Sequence, residues 1–278
     1  MSTNITSEEL LEYLGPNTTV NIIARHRKLA FVPPVVLERL ANEALSENWA
    51  IGNHALEKYL AVNVAWSIEQ GQFVASGEQF CVTAGHLRTR YGSPIYLIYE
   101  RNRNPGRQPF ALKLASSDVR SPAFPAAPQI PAPAMLPAGA EIEMRHDHML
   151  VDHRERLSFL EETPPVAQVC AISGAIQWSL CRGLQWRYWY YGRMDHIVPV
   201  YLQSRENITE TPDLVAPIQV RGSRLLVRTL LLPHYPFPNA RVAVERHDQL
   251  PHWLVSAWKD HARGMSEAAI DDPEGEAS

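Results

Sequence analysis

Two residue types are scarce in this 278-residue chain, lysine and cysteine. Only Lys28, Lys58, Lys113 and Lys259 are lysine, so 22 of the 26 basic residues are arginine. Cys81, Cys170 and Cys181 are too few and too scattered for a disulfide framework or a four-cysteine zinc site, and are read as small buried hydrophobes. No run approaches the roughly 18 apolar residues of a membrane-spanning helix. Met1–Leu10 carries two glutamates and no apolar core, unlike a signal peptide. These absences predict no membrane association and a cytoplasmic setting, most simply in a bacterium. The Gly-x-Ser-x-Gly elbow, the His-Glu-x-x-His helix and the glycine-rich phosphate loop are missing as well. The main nucleophilic mechanisms therefore leave no trace, and neither a cofactor nor an enzymatic activity is assigned.

Charge is unevenly placed. The formal net charge is −4, and residues 262–278 alone account for it, so the remaining body is neutral. Within that body, His86–Lys113 holds Arg88, Arg90, Arg101, Arg103, Arg107 and Lys113 against Glu100 alone. A GC-rich genome explains much of an arginine bias. The planar guanidinium, however, also grips phosphate or carboxylate through two parallel hydrogen bonds and stacks on rings.

The periodicities predict an α+β protein: an N-terminal helical, winged-helix-like part followed by a mixed α/β body. Helices are expected over residues 7–14, 35–45 and 53–70, the last opened by Asn53 and stopped by Gly71. A hairpin should turn at Ser76–Gly77, and Tyr96–Glu100 reads as a strand. Pro122, Pro125, Pro128, Pro131, Pro133 and Pro137 make residues 116–140 an extended connection. Beyond it, an apolar helix is expected over 165–185, strands over 214–220, 225–232 and 242–245, and a closing helix over 253–262. The resulting organisation is an extension (1–34), the winged-helix-like part (35–115), the connection (116–140), the body (141–262) and a disordered acidic tail (263–278). No internal repeat is evident.

Two constellations carry chemistry. His146, Asp147, His148, Asp152 and His153 are dense enough in imidazole and carboxylate to suggest a metal set of His146, His148, Asp152 and His153, although their spacing departs from His-x-His-x-Asp-His. Surface histidines at a polar turn are the competing reading. Residues 178–202 interleave Trp178, Trp186, Tyr188, Trp189, Tyr190, Tyr191 and Tyr201 with Arg182, Arg187 and Arg193. Such alternation suits base stacking with phosphate neutralisation, and equally suits packing.

Several segments, taken in order, resemble a bacterial domain-of-unknown-function family, number 3825: residues 37–49, 56–74, 80–87, 95–110, 147–157 and 229–242, with Trp253-Leu254 after them. The stretches Asn-Arg-Asn-Pro-Gly-Arg-Gln-Pro (102–109) and Asn-Ala-Arg (239–241) are the most specific points. The resemblance implies one body running through both halves and an association with nucleic acids. It carries no catalytic assignment. Family positions are matched by Asn102, Asn104, Gly106, Arg107, Gln108, His148, Arg156, Thr229, Asn239 and Arg241. The chain departs from the family at residues 83–87 and 192–196, and His146 and His153 have no counterpart there.

The leading expectation is an RNA- or nucleotide-binding protein, with Arg101, Arg103 and Arg107 at phosphate, Arg241 held by Asn239 to complete an anion pocket, Tyr188 or Trp189 stacking a base, Gln108 and Arg156 also among the ligand-binding residues, and His148 as the acid–base group if the ligand is processed. An enzyme acting on a small carboxylate-bearing metabolite and a non-enzymatic interaction module are the alternatives.

Overall fold

The computed structural model describes every residue except 1–4, 16–20, 105–106, 120–122, 151–153 and 272–278. The fold is α+β and divides into two compact units, the chain passing between them within the proline-rich connection at Pro131–Ala132; residues 191–193 and 244–247 belong to the first unit.

The first unit opens with α1 (Ser7–Leu14) and α2 (Ile22–Leu29). Thr6 caps α1, its hydroxyl accepting the Glu9 amide, so the cap falls one residue before the acidic first turn. There follow β1 (Ala30–Phe31), α3 (Pro34–Glu43), a 3-10 helix (Ile51–Asn53), α4 (His54–Glu69), β2 (Val74–Ser76), β3 (Gln79–Arg88), β4 (Pro94–Arg101) and β5 (Phe110–Ser116). The sheet order is β1-β5-β4-β3-β2, antiparallel except where β1 runs parallel to β5. The predicted hairpin turns over Gly77–Glu78 and is the edge of this larger sheet. From Ala55 to Ile68, every α4 residue except Lys58 is buried. Such a helix is buried on all sides because it is the core, and it presents no face to a DNA groove. Phe80 and Tyr99 are direct cross-strand partners with stacked rings 4.6 Å apart, and Phe110 meets Phe80 edge-on at 5.1 Å.

The second unit runs β6 (Glu141–Met144), α5 (His146–Leu150), a 3-10 helix (Arg154–Leu160), α6 (Pro165–Leu180), β7 (Trp186–Tyr190), β8 (Arg193–Val200), β9 (Leu214–Arg221), β10 (Arg224–Val227), α7 (Phe237–Val242) and α8 (His252–Asp271). Its sheet order is β6-β10-β9-β8-β7, with β6 parallel to β10. Met149, Ile172, Ile176, Val198, Leu214, Ile218 and Val227 centre its core. Several expectations fail here: the strand expected over 225–232 stops at Val227, and the helix expected over 165–185 stops at Leu180. No strand forms over 242–245: Val242 closes a helix over 237–242, which Pro236 and Pro238 start, and residues 243–245 are turn and loop. The closing helix continues to Asp271, so residues 263–271 are helical and not part of a disordered tail.

Among the described residues the two units share one order of elements: strand, helix, 3-10 helix, helix, then a four-stranded antiparallel meander whose last strand pairs in parallel with the first. The equivalence of α4 and α6 extends to sequence. Both end in Trp-Ser-(Ile/Leu)-x-x-Gly, residues 66–71 and 178–183. Both close with the same pair of hydrogen bonds, Gly71 and Gly183 at left-handed φ (67° and 69°) following the helix. Gln72 N reaches Ser67 O as Leu184 N reaches Ser179 O. The repeat that is not evident in the linear sequence is therefore present in the topology.

Each unit also grips the proline-rich connection by one histidine on its second meander strand. His86 Nε2 donates to Pro128 O (2.9 Å) in the first unit, and His196 Nε2 to Ala134 O (2.8 Å) in the second. In the first, Gln70 adds a reciprocal pair with the Gln129 backbone, at 2.7 and 2.8 Å.

Candidate ligand-binding site

The arginine loop of the first unit returns β4 to β5, its neck closed by Asn102 N donating to Pro109 O (2.7 Å). Arg101 meets Glu9 at 2.7 Å and lies over the Phe110 ring. Arg103 pairs with Glu78 at 2.6 Å. Arg107 is exposed and Gln108 half-buried, while Gly106 lies outside the described residues. Two of the three loop guanidiniums are thus spent on carboxylates supplied from elsewhere in the unit, which local charge counting cannot foresee.

The remaining predicted residues belong to the second unit. Tyr188 and Trp189 on β7 are 3% and 4% exposed, so neither ring offers a face to a base. The Tyr188 hydroxyl accepts from Asn239 Nδ2 at 2.9 Å, which brings two predicted residues together as a packing contact between β7 and α7. Arg241, on the same short helix, is 1% exposed. Arg156 donates to Leu230 O at 2.6 Å and lies over Tyr235, tying its 3-10 helix to the chain beyond β10. His148 is half-buried on α5 and His146 exposed. Asp152 and His153 lie outside the described residues, and no group of three metal-ligating side chains occurs among those described.

A different group gathers where α6 ends. Arg182 stacks on the Trp178 indole at 3.9 Å and donates through Nη1 to Trp178 O at 3.1 Å. Arg205 approaches the same ring at 5.2 Å, held by its Nε donating to Tyr201 O at 3.1 Å. Neither guanidinium has an acidic partner among the described residues. The loop presenting Arg205 is braced. Asp213 accepts from Leu202 N (2.7 Å), Gln203 N (3.0 Å) and Gln203 Nε2 (2.6 Å), and the Tyr201 hydroxyl donates to Ile208 O at 2.8 Å. Burial, helped by the Asp213 and Glu210 carboxylates, pushes the Tyr201 phenol up to about 12, so it stays a donor. Trp178 and Arg182 fall in the aromatic–arginine stretch singled out by sequence. Arg205 does not, because it reaches the indole from a polar loop 27 residues from Trp178 in sequence.

The end of α6 also borders a cavity of about 320 Å³, lined by residues 136–140, Gln177, Leu180, Cys181, Gln185 and Leu225. Gln177 Nε2 is 3.6 Å from the exposed Cys181 Sγ. Gln185 Oε1 is buried without a hydrogen-bond partner among the described residues. No protein-family model matches this chain, and no curated protein and no solved structure matches it either.

Proposed function

We propose that the chain binds a phosphate-bearing ligand, RNA or a nucleotide, at the end of α6. The observation that carries this reading is the pair of guanidiniums, Arg182 and Arg205, set against one indole with no carboxylate within ion-pair distance among the described residues. Stacking on a ring fixes a guanidinium plane while leaving its outer N–H edge free for an oxyanion. The C-terminal end of α6 opposes an anion with roughly half a negative charge, and two full positive charges outweigh it. Because no tryptophan or tyrosine lines the cavity, the carboxylate-metabolite reading gains nothing from it.

The test is a titration of fluorescent oligouridylate and of nucleotides at low salt, against the wild type and Arg182→Ala/Arg205→Ala. Each arginine is expected to contribute about tenfold in affinity, as charge-assisted hydrogen bonds do. Binding unchanged in the double variant, or absent from the wild type, would overturn the reading.

A further inference from the structure

We infer that the outer face of α6 is a dimer interface, on which a second copy of the chain lays the same helix antiparallel; this stands independently of the phosphate reading. α6 holds no charged residue in its sixteen positions. Its inner side is accounted for. Ile172, Ala175 and Ile176 enter the core of the second unit, and the Ser179 hydroxyl donates to Pro199 O at 2.7 Å. The outer side is formed by Ala167, Cys170, Gly174, Gln177 and Cys181, all exposed, after Val166 at 77%. Those five positions step alternately by three and four, the spacing of a seam between two helices. A face left to solvent would carry charge, and this one carries none.

The internal repeat shows what such a face takes. In the first unit α1 and α2 both pack on α4, the equivalent helix. In the second, residues 132–140, which lead into β6, form neither helix nor strand. The helical cover that α4 receives from its own chain therefore has no counterpart ahead of β6, and the outer face of α6 stays open.

The helix that fits is α6 itself. A two-fold contact requires a surface that complements itself when reversed. Gly174 is the midpoint of the stripe, with Ala167 and Cys181 seven residues to either side, so reversal about Gly174 sets small residues against small ones. With no side chain at the crossing, the two axes can approach to the short end of the usual separation of roughly 8–10 Å. Charge selects the direction. Glu161 (which also meets Arg154) and Glu162 precede the helix, Arg182 and Arg187 follow it, and all four are exposed. Antiparallel packing brings each acidic end to a basic end and opposes the two helix dipoles, whereas parallel packing would set like charges together. A face about 24 Å long and one helix wide falls short of the roughly 800 Å² per partner of a standard interface, so a reversible dimer of about micromolar affinity is expected.

The test reads the oligomeric state of the full chain by sedimentation velocity, from low to high micromolar concentration, where a reversible monomer–dimer equilibrium is expected. An added Cβ at Gly174 meets nothing within 4 Å, so Gly174→Glu keeps the fold and sets two carboxylates against each other at the axis. It should weaken the dimer about a hundredfold, as like charges forced together at an interface do, with the urea midpoint of the monomer no lower. Direction is read from single cysteines placed in Cys170→Ser/Cys181→Ser, where Cys81 stays buried. Gly174→Cys should cross-link under mild oxidation. Ala167→Cys should not, because an antiparallel pair holds its two copies about 21 Å apart along the helices, beyond the ~7 Å reach of a disulfide. A chain monomeric throughout, leaving the face to some other protein, overturns the inference, as does a dimer indifferent to Gly174→Glu. Cross-linking through Ala167→Cys as fast as through Gly174→Cys overturns the antiparallel arrangement.

Discussion

His26 has none of its surface exposed, and its Nε2 lies 2.9 Å from the Tyr99 hydroxyl. Burial pulls its pKa down to about 4, an effect Glu57 opposes and Arg27 reinforces. The unfolded chain takes up a proton near pH 6.5 that the folded one refuses until about pH 4, so stability falls as pH drops through that window and levels off below it. The loss amounts to about 3 kcal/mol. Urea midpoints at pH 7 and 4.5 should differ by less in His26→Gln, which keeps a hydrogen-bonding group for Tyr99 but does not titrate. Gly85 is a second residue whose identity is dictated by its surroundings. At φ 59°, an added Cβ would lie 2.5 Å from Asn63 Oδ1 and 2.7 Å from the Tyr59 hydroxyl. Gly85→Ala is expected to cost about 2 kcal/mol or more, seen as a lower urea midpoint with unchanged m-value. The sequence marked Gly85 only as part of a family departure. Its reason, a backbone pressed against two polar side chains of α4, exists only once helix and strand are packed.

At the scale of elements, α1, α3, α4, the hairpin, β4, α6 and β9 were legible because each carries its own period and punctuation. Phe237–Val242 was not, since a six-residue helix spans too few turns to show a period. The candidate site was half legible. Trp178 and Arg182 stand four apart across the C-terminal end of α6, whereas Arg205 arrives through a loop whose course depends on Asp213. Arg101 and Arg103 misled because their acidic partners, Glu9 and Glu78, are distant in sequence. Residues 124–137 of the proline-rich connection form neither helix nor strand, and their anchors were invisible. Gln70 acts on it as one more peptide group, matching the donor and acceptor of Gln129. Gln70→Leu should therefore loosen the strap by about 2 kcal/mol, two ordinary hydrogen bonds, and raise the rate of proteolysis between Phe124 and Pro131 with little change in global stability.

For the molecule as a whole, a net charge of −4 means that the proposed binding of a polyanion would have no help from the overall charge. Affinity must come from a few fixed guanidiniums, so two phosphate contacts predict a slope of about −1.4 in log K against log salt for a single strand. A steeper slope would mean that more of the surface takes part. The repeated topology has a temporal side as well. Each meander opens on a two-residue turn, Gly77–Glu78 or Tyr191–Gly192, whereas Ala30 must find Phe110 and Glu141 must find Arg224, closures over roughly 80 residues apiece. During synthesis β1 and β6 leave the ribosome before the strands they pair with. In each unit, the first strand made is the last to be given a neighbour.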